Sequence, residues 1–313
     1  TGITYLWAFG LALAQRHDWR SRRTWVLAAA TVLSAALAIG SRVDAAAYVA
    51  LVVAVVLVLT GFQRARRSWI STTLLAVIAL IGLAQFATFG TPGSGVSGGM
   101  GGTEPGAGLF ATNVVYLPVY LSGAVGGKAL GWNDTALPPM VFVFGLLVLG
   151  ALAYRGIQVL SGRKIAATLL ALAAMIAVPL VFLQREGLGV GEVVQARYLL
   201  PLMVVFFATV SLPTAFAKAR AGGLPLPRPA AWSIGILMAA TASVSLWVHA
   251  HRYAAGSTRG LFDIDLQMDW TGLLAVPLPL VVAVGVIASI GYTLAATTVV
   301  YRDGTSTRTS TRR

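Results

Sequence analysis

Long apolar stretches alternate with short charged segments along the chain. Eight of them approach the roughly 20 residues that a helix needs to cross a bilayer. They lie at 24–40, 45–62, 69–89, 138–156, 165–183, 198–217, 231–250 and 275–299. The shorter stretch Thr1–Ala14 follows no basic segment, so we interpret it as the end of a helix that begins upstream, not as a signal peptide. The pattern predicts an all-α, polytopic membrane helical bundle of about nine transmembrane helices, the first one clipped.

The segments between these stretches define the rest of the predicted domain organisation. Residues 90–137 form a long outer loop, which is Gly-rich at first and apolar again at Val114–Val125. The apolar piece contains a proline and has too few residues to span, so we expect an interfacial helix there. Residues 251–274 form a second outer loop, and residues 301–313 form a disordered basic cytoplasmic tail. All of this belongs to a single transmembrane domain at 1–313, which we expect to be the C-terminal part of a longer protein.

The composition excludes several classes of protein. Hydrophobic residues make up 57% of the chain and charged residues 11%, against roughly 45–50% and about 25% in soluble domains. A soluble core of this size could not bury so much apolar side chain, so a soluble enzyme is excluded. The chain contains no cysteine, which excludes a disulfide framework, a thiolate metal site and a cysteine nucleophile.

The charge of the chain indicates how it is oriented. The formal net charge is +13, and 17 of the 23 basic residues fall on one side if the spans alternate. That side comprises 15–23, 63–68, 157–164, 218–230 and 301–313, together with Arg155 at the end of the preceding span. The positive-inside rule makes it cytoplasmic, so we predict a cytoplasmic C-terminus. The bias towards Ala, Val, Gly and Arg favours a bacterial protein, so we predict the bacterial inner membrane. The positive charge then serves topology and contact with anionic lipids, and we expect no nucleic-acid partner.

Some familiar motifs carry no function in this context. Gly93–Gly98 matches G-x-G-x-x-G, but it lies in an outer loop with no strand before it and no helix after it, which favours a linker. The predicted spans contain no Asp or Glu near the middle of the membrane, which argues against a proton-coupled transporter or a channel. His249 and His251 end one span two residues apart, and we interpret them as a water-facing helix end, with no metal site.

Polar chemistry is concentrated in four short clusters at the predicted outer face. They are Ser41-Arg42-Val43-Asp44, Gly131-Trp132-Asn133-Asp134, Gln195-Ala196-Arg197-Tyr198 and His251-Arg252-Tyr253. An arginine at a helix entrance can bind a lipid phosphate through two hydrogen bonds. It can also extend to the interface and pair with a nearby acid, which only positions the helix. The sequence leaves both readings open, and it also leaves open whether the four clusters meet.

Two of these clusters carry a family resemblance. Gly131–Pro138 resembles the G-W-x-D-T-x-L-P stretch of the DUF2142 family of bacterial membrane proteins. Gln195–Pro201 resembles its Q-G-R-Y-L-L-P signature, with Ala196 in place of the usual glycine. His251–Tyr253 and the turn at Ser41-Arg42 fit the same pattern, so the resemblance covers essentially the whole chain in order.

The resemblance implies a function of limited detail. The family is similar in architecture to the GT-C glycosyltransferases, which transfer a sugar from a polyprenyl-phosphate donor to an acceptor outside the membrane. Their catalytic acid lies in a first outer loop that we expect to precede this chain, so no catalytic residue is assigned. The candidates for contact with lipid phosphate or substrate are Arg197, Tyr198, Arg252, Asp134, Trp132, Arg42 and Asp44. Apart from a polyprenyl-phosphate-linked sugar as donor, no cofactor is evident.

Two other classes of function remain open at the level of sequence. A lipid or polysaccharide exporter needs a membrane-level groove but no general base. A non-catalytic partner in a cell-envelope assembly needs neither. The sequence identifies membrane lipids as partners, and it names no protein partner, sugar or acceptor.

Overall fold

The computed structural model describes residues 2–89, 106–127, 137–158, 160–191, 195–212, 228–255, 280, 283–291 and 294. Within these residues all regular structure is helical, and no strand occurs. The helices are α1 (Gly2–Ala14), α2 (Arg22–Ser41), α3 (Val43–Thr60), α4 (Phe62–Arg67), α5 (Trp69–Phe89), α6 (Ala107–Ser122), α7 (Pro139–Ile157), α8 (Gly162–Arg185), α9 (Leu200–Val210) and α10 (Arg228–Ala255). A π-helical turn, Gly123–Gly127, follows α6, and a 3-10 turn, Ala196–Leu199, precedes α9.

Six helices of the described part are long and apolar enough to cross a membrane. They are Arg22–Ser41, Trp69–Thr88, Ala107–Gly126, Pro139–Ile157, Gly162–Arg185 and Pro229–His249. Three shorter apolar helices accompany them, at Gly2–Ala14, Asp44–Thr60 and Leu200–Val210. The prediction of an all-α, polytopic membrane protein is therefore confirmed.

The apolar piece of the long outer loop is longer than the sequence pattern predicted. The helix begins at Ala107, well before Val114, and with the following turn it gives a 20-residue stretch that could cross a membrane. The expectation that this piece is too short to span is wrong. Pro118 lies inside the helix without ending it, since membrane helices tolerate proline where neighbours satisfy the freed carbonyl. Its position along the interface stays a prediction.

Other predicted boundaries meet the edges of the described residues. The stretch predicted at 198–217 is helical over Leu200–Val210, where a proline near the first helical position suits a helix start. The stretch predicted at 275–299 is described at residue 280, at 283–291 and at residue 294, all helical. The Gly-rich part of the first outer loop, residues 256–274 of the second and the tail at 301–313 lie outside the described residues.

The chain forms two compact units. The first unit comprises Thr1–Pro118, Leu152–Val194 and Tyr198–Ala219, and the second comprises Val119–Ala151, Gln195–Arg197 and Arg220–Arg313. In the first unit α3 is the central helix, packing against α1, α2, α5, α8 and α9. Val49, Val52, Val53, Val55 and Val56 on α3 are essentially inaccessible to solvent. A helix that is apolar on all sides is typical of such a buried position.

Small residues on α2 pack against the neighbouring helices only in part. Ala28, Ala35 and Ala38 are buried, whereas Ala29 and Ala36 are exposed. The buried set recurs at helical spacing with Thr24, Thr31 and Ser34, whose side chains are also buried. Small side chains let helices approach closely in lipid, but only one face of α2 uses them. The same division occurs on α8, where Ala167 and Ala171 are buried and Ala166, Ala173 and Ala177 are exposed.

Two neighbouring cations at the start of α8 bind the carbonyl ends of three other helices. The Nζ of Lys164 donates to Gly156 O at the end of α7, at 2.7 Å, and to Leu212 O just beyond α9, at 2.8 Å. The Nη1 of Arg163 donates to Thr60 O, the last residue of α3, at 3.1 Å. The last carbonyls of a helix lack a partner inside the helix and carry partial negative charge. These two side chains therefore satisfy groups that would be costly to bury unpaired.

The same end of the first unit also holds the start of α5. Ser68 Oγ donates to Ala14 O at the end of α1, at 2.9 Å, and Ser71 Oγ donates to Arg16 O, at 3.1 Å. We call this end, where α1, α3, α7 and α9 end and α5 and α8 begin, the basic end. Its basic residues are Arg16, Arg64, Arg66, Arg67, Arg155, Arg163 and Lys164. These residues lie in, or directly beside, segments that the positive-inside rule assigns to the cytoplasm.

The second unit has a small core of its own. Leu137, Val141 and Val248 form a buried cluster, with Val244 packed against it. Gly126, in the turn after α6, has a positive φ of 97°, which favours glycine. A Cβ at this residue would also lie 3.1 Å from Val141 Cγ1. The turn thus depends on glycine for both its conformation and its packing.

We expect Lys164→Met to destabilise the protein strongly. The substitution keeps most of the apolar stem but leaves the carbonyls of Gly156 and Leu212 without the ammonium. A buried group left without its partner costs about 1–3 kcal/mol, so the midpoint of thermal unfolding in detergent should fall. Arg66→Met, at an exposed position of the same basic end, is the matched control. Equal midpoints for the two variants would contradict the capping role of Lys164.

Candidate functional site

The structure describes only part of the four predicted polar clusters. Arg42, Asp44, Tyr198 and Arg252 are described with their side chains. Trp132 and Asp134 lie outside the described residues, and so do the side chains of Arg197 and Tyr253. The predicted approach of Arg197 to Asp134 or Arg252 therefore stays a prediction.

The turn between α2 and α3 is built around Arg42. Its backbone is extended (φ −164°, ψ 149°), and the residue both ends α2 and precedes α3. Asp44 lies in the first turn of α3, where the helix dipole favours a negative charge. The Nε of Arg42 donates to Asp44 Oδ1 at 2.8 Å. The turn thus orients the guanidinium along the end of α3, and its side chain remains 49% exposed.

A residue far away in the sequence completes the cluster. The Cζ of Arg42 lies 4.1 Å from the centroid of the Tyr198 ring, within the distance of a cation–π contact. Tyr48, one turn along α3 from Asp44, donates its hydroxyl to the backbone oxygen of Tyr198 at 3.3 Å. We call Arg42, Asp44, Tyr48 and Tyr198 the arginine cluster. It unites two of the four clusters predicted from the sequence.

The surroundings of Arg42 favour its charged form. Burial lowers the pKa of Arg42, but hydrogen bonds and charge interactions with Asp44 and Tyr198 raise it, and the net pKa lies above its ordinary value. The guanidinium therefore remains a cation throughout the pH range in which the protein can be studied. A permanent cation that is half exposed at a helix end can bind an anion such as a phosphate.

Asn113 is a further polar residue that the sequence analysis missed. It lies in the second turn of α6 with its side chain fully buried. Its Nδ2 donates to Leu188 O at 3.0 Å, and its Oδ1 accepts from the N–H of Val190 at 2.9 Å. The amide thus forms one donated and one accepted hydrogen bond with the backbone of the segment after α8. No sequence motif marks Asn113, since an asparagine in an apolar helix has no fixed partner in the sequence.

Buried polar atoms without a hydrogen bond to the described residues occur in the second unit, among them atoms of Gln195 and His251. Gln195 is buried, and its Oε1 has no partner within the described residues. His251 is 3% exposed, and its Nε2 has none either; its ring lies 6.0 Å from that of Trp247. The expectation of a water-facing helix end is therefore wrong for His251, because α10 continues beyond it to Ala255. Unpaired buried polar atoms are uncommon in folded proteins.

The described residues contain no group of three or more His, Cys, Asp or Glu side chains that could hold a metal ion. Their polar groups can instead provide cationic, aromatic and amide contacts. Such groups suit a phosphate or a hydroxyl-rich ligand more than a metal.

The helices and these polar helix ends define a polytopic α-helical membrane protein. The family described as "Predicted membrane protein (DUF2142)" matches residues 2–206, which is more than half of the chain. The chain belongs to this family, as its motifs indicated. No curated protein and no solved structure matched the chain.

We expect Asn113→Leu to loosen the segment after α8. The variant is close in size, but the backbone groups of Leu188 and Val190 lose their partner, at a cost of about 1–3 kcal/mol. Hydrogen exchange in peptides covering 186–191 should accelerate, and the unfolding midpoint should fall. Thr112→Leu, at the neighbouring exposed position, should change neither. Unchanged exchange in Asn113→Leu would show that the amide does not position this segment.

Proposed function

We propose that the protein binds a polyprenyl-phosphate-linked sugar at the arginine cluster and transfers the sugar to a cell-envelope acceptor at the outer face. The observation that carries the proposal is the contact of Arg42 with Tyr198. It brings together two clusters that the family resemblance had marked separately. In the anchoring alternative, Arg42 would need only its neighbour Asp44, and no residue of the second cluster.

The position of the cluster within the first unit supports an outer-face site. Arg42 lies at the start of α3, whereas Thr60 at the other end of α3 accepts from Arg163 at the basic end. If the basic end faces the cytoplasm, as the positive-inside rule requires, the arginine cluster faces the opposite side. Lipid-linked sugar phosphates are used on that side by the glycosyltransferases that the family resembles.

The chemistry of glycosyl transfer explains why a cation is needed. The bond between the anomeric carbon and the phosphate oxygen breaks, the acceptor hydroxyl forms a new bond to that carbon, and a general base removes its proton. The departing polyprenyl phosphate gains negative charge, which the Arg42 guanidinium would stabilise. Asp44 and the Tyr198 ring orient that guanidinium. We assign no residue of this chain as the base.

We expect Arg42→Ala to weaken binding of a polyprenyl-phosphate sugar at least tenfold, about 1.4 kcal/mol. Arg42→Lys should recover only part of this, because an ammonium lacks the planar geometry for bidentate phosphate binding and stacking on Tyr198. Binding is measured with a fluorescent polyprenyl-phosphate sugar on the purified chain in nanodiscs. Sugar transfer is measured with the longest natural form of the protein.

The control is Arg185→Ala, which removes an exposed cation at the end of α8 and should leave binding within about twofold. Equal losses in Arg42→Ala and Arg185→Ala would reject the arginine cluster as the phosphate site. Binding that depends on Arg42 without any sugar transfer would instead favour an exporter or a non-catalytic envelope partner.

The proposed orientation predicts which positions a membrane-impermeant thiol reagent can reach. Residues 1–313 contain no cysteine, so single cysteines introduced there are not obscured by other thiols within this sequence. Ser94→Cys, in the predicted outer loop, should label in intact cells, and His17→Cys, beside the basic end, should label only after the membrane is opened. The reverse pattern would place the basic end outside and would overturn the outer-face site.

A further inference from the structure

Aromatic side chains place the basic end at the depth of the lipid headgroups. Trp25 in the first turn of α2 is 60% exposed, Trp69 at the start of α5 is 65% exposed, and Phe62 at the start of α4 is 81% exposed. Large exposed aromatic rings next to helix ends are typical of the interface between membrane and water. In a soluble protein they would be unfavourable, but here they can contact the boundary between headgroups and acyl chains.

A cavity of about 430 Å³ lies at this end of the first unit. It is lined by Ala8, Leu11, Ala12, Gln15, Arg16 and Leu212. Four of these residues are apolar, and the two polar ones follow each other directly after the last turn of α1. Ala8 and Arg16 are exposed, so the cavity opens to the surface. Its volume falls within the roughly 300–1,000 Å³ of sites that bind small molecules.

The charge at the mouth of this cavity is positive. Arg16 is exposed, and within the described residues the recorded salt bridge joins Arg42 to Asp44, at the other end of α3. Arg16 thus has no carboxylate partner among these residues. Ser71 contacts its backbone oxygen, and the basic helix α4 ends directly before α5. The cavity therefore combines an apolar wall with a cation at the depth where phosphates of the lipid bilayer lie.

We infer that this cavity binds one anionic phospholipid of the cytoplasmic leaflet, with an acyl chain along Ala8, Leu11 and Ala12 and the phosphate on Arg16. Basic pockets between membrane helices on the cytoplasmic side bind anionic headgroups through such an arrangement. A zwitterionic lipid carries a second, positive group that Arg16 at the mouth of the cavity would repel. This site is distinct from the arginine cluster, and it does not depend on the proposed sugar transfer.

The inference is tested by native mass spectrometry of the full chain, released from detergent with phosphatidylglycerol or phosphatidylcholine. Arg16→Gln removes the cation, and Ala12→Phe fills the cavity. Arg66→Gln is the matched control for charge, since it removes an exposed cation of α4 at the same end. Ala29→Phe is the matched control for size, since Ala29 is an exposed alanine of α2 outside the cavity.

The wild-type chain should retain one phosphatidylglycerol more strongly than phosphatidylcholine. Arg16→Gln should reduce that retention about fivefold, the effect of one cation near an anionic lipid, and Ala12→Phe should reduce retention of both lipids. Equal losses in Arg16→Gln and Arg66→Gln, or in Ala12→Phe and Ala29→Phe, would overturn the site. Unfolding midpoints identify a variant that does not fold, and Ala8→Phe then replaces Ala12→Phe with the same expected result.

Discussion

Helix ends are costly to bury in a membrane bundle, because the last carbonyls of a helix have no hydrogen-bond partner inside it. Arg163 and Lys164 bind such carbonyls of α3, α7 and α9 from the first turn of α8. Two adjacent cations thereby fix where three helices end and place those ends together. The positive-inside rule bases the predicted orientation on this same basic end, so the residues that predict the orientation also stabilise the packing of the first unit.

The helical fold was predictable because each long helix carries its own signal, an apolar run of bilayer length. The prediction of its length failed for α6, because the apolar run alone extends only from Val114 to Val125 whereas the helix begins at Ala107. A helix lined with glycine and alanine at its start, such as Ala107–Ser122, has a weak apolar signal in its first turns. The buried face of α2 cannot be identified from the sequence, because alanines occur on all sides of the helix and only its contacts with other helices determine which are buried.

The sequence indicated which residues belong to the candidate site, but it did not indicate how they lie relative to one another. Arg42 and Asp44 are two positions apart in a turn, so their ion pair follows from local geometry. Tyr198 is different, because Tyr48, which binds its backbone, is 150 positions away in the sequence. A single sequence contains no measure of such a distance. The burial of His251 could not be predicted either, because it depends on how far α10 continues beyond the apolar run.

The burial of α3 has a consequence for how the protein responds to its membrane. With 18 residues, α3 is about 27 Å long at the rise of an α-helix, slightly less than a typical hydrocarbon core. Neighbouring helices cover most of α3, and lipid can reach it only along the half-buried face of Ala47, Ala50, Leu51, Ala54, Leu57 and Val58. A thicker or thinner bilayer changes the tilt of the lipid-facing helices first. The turn at Arg42, at the end of this largely buried helix, is therefore partly shielded from changes in the thickness of the bilayer.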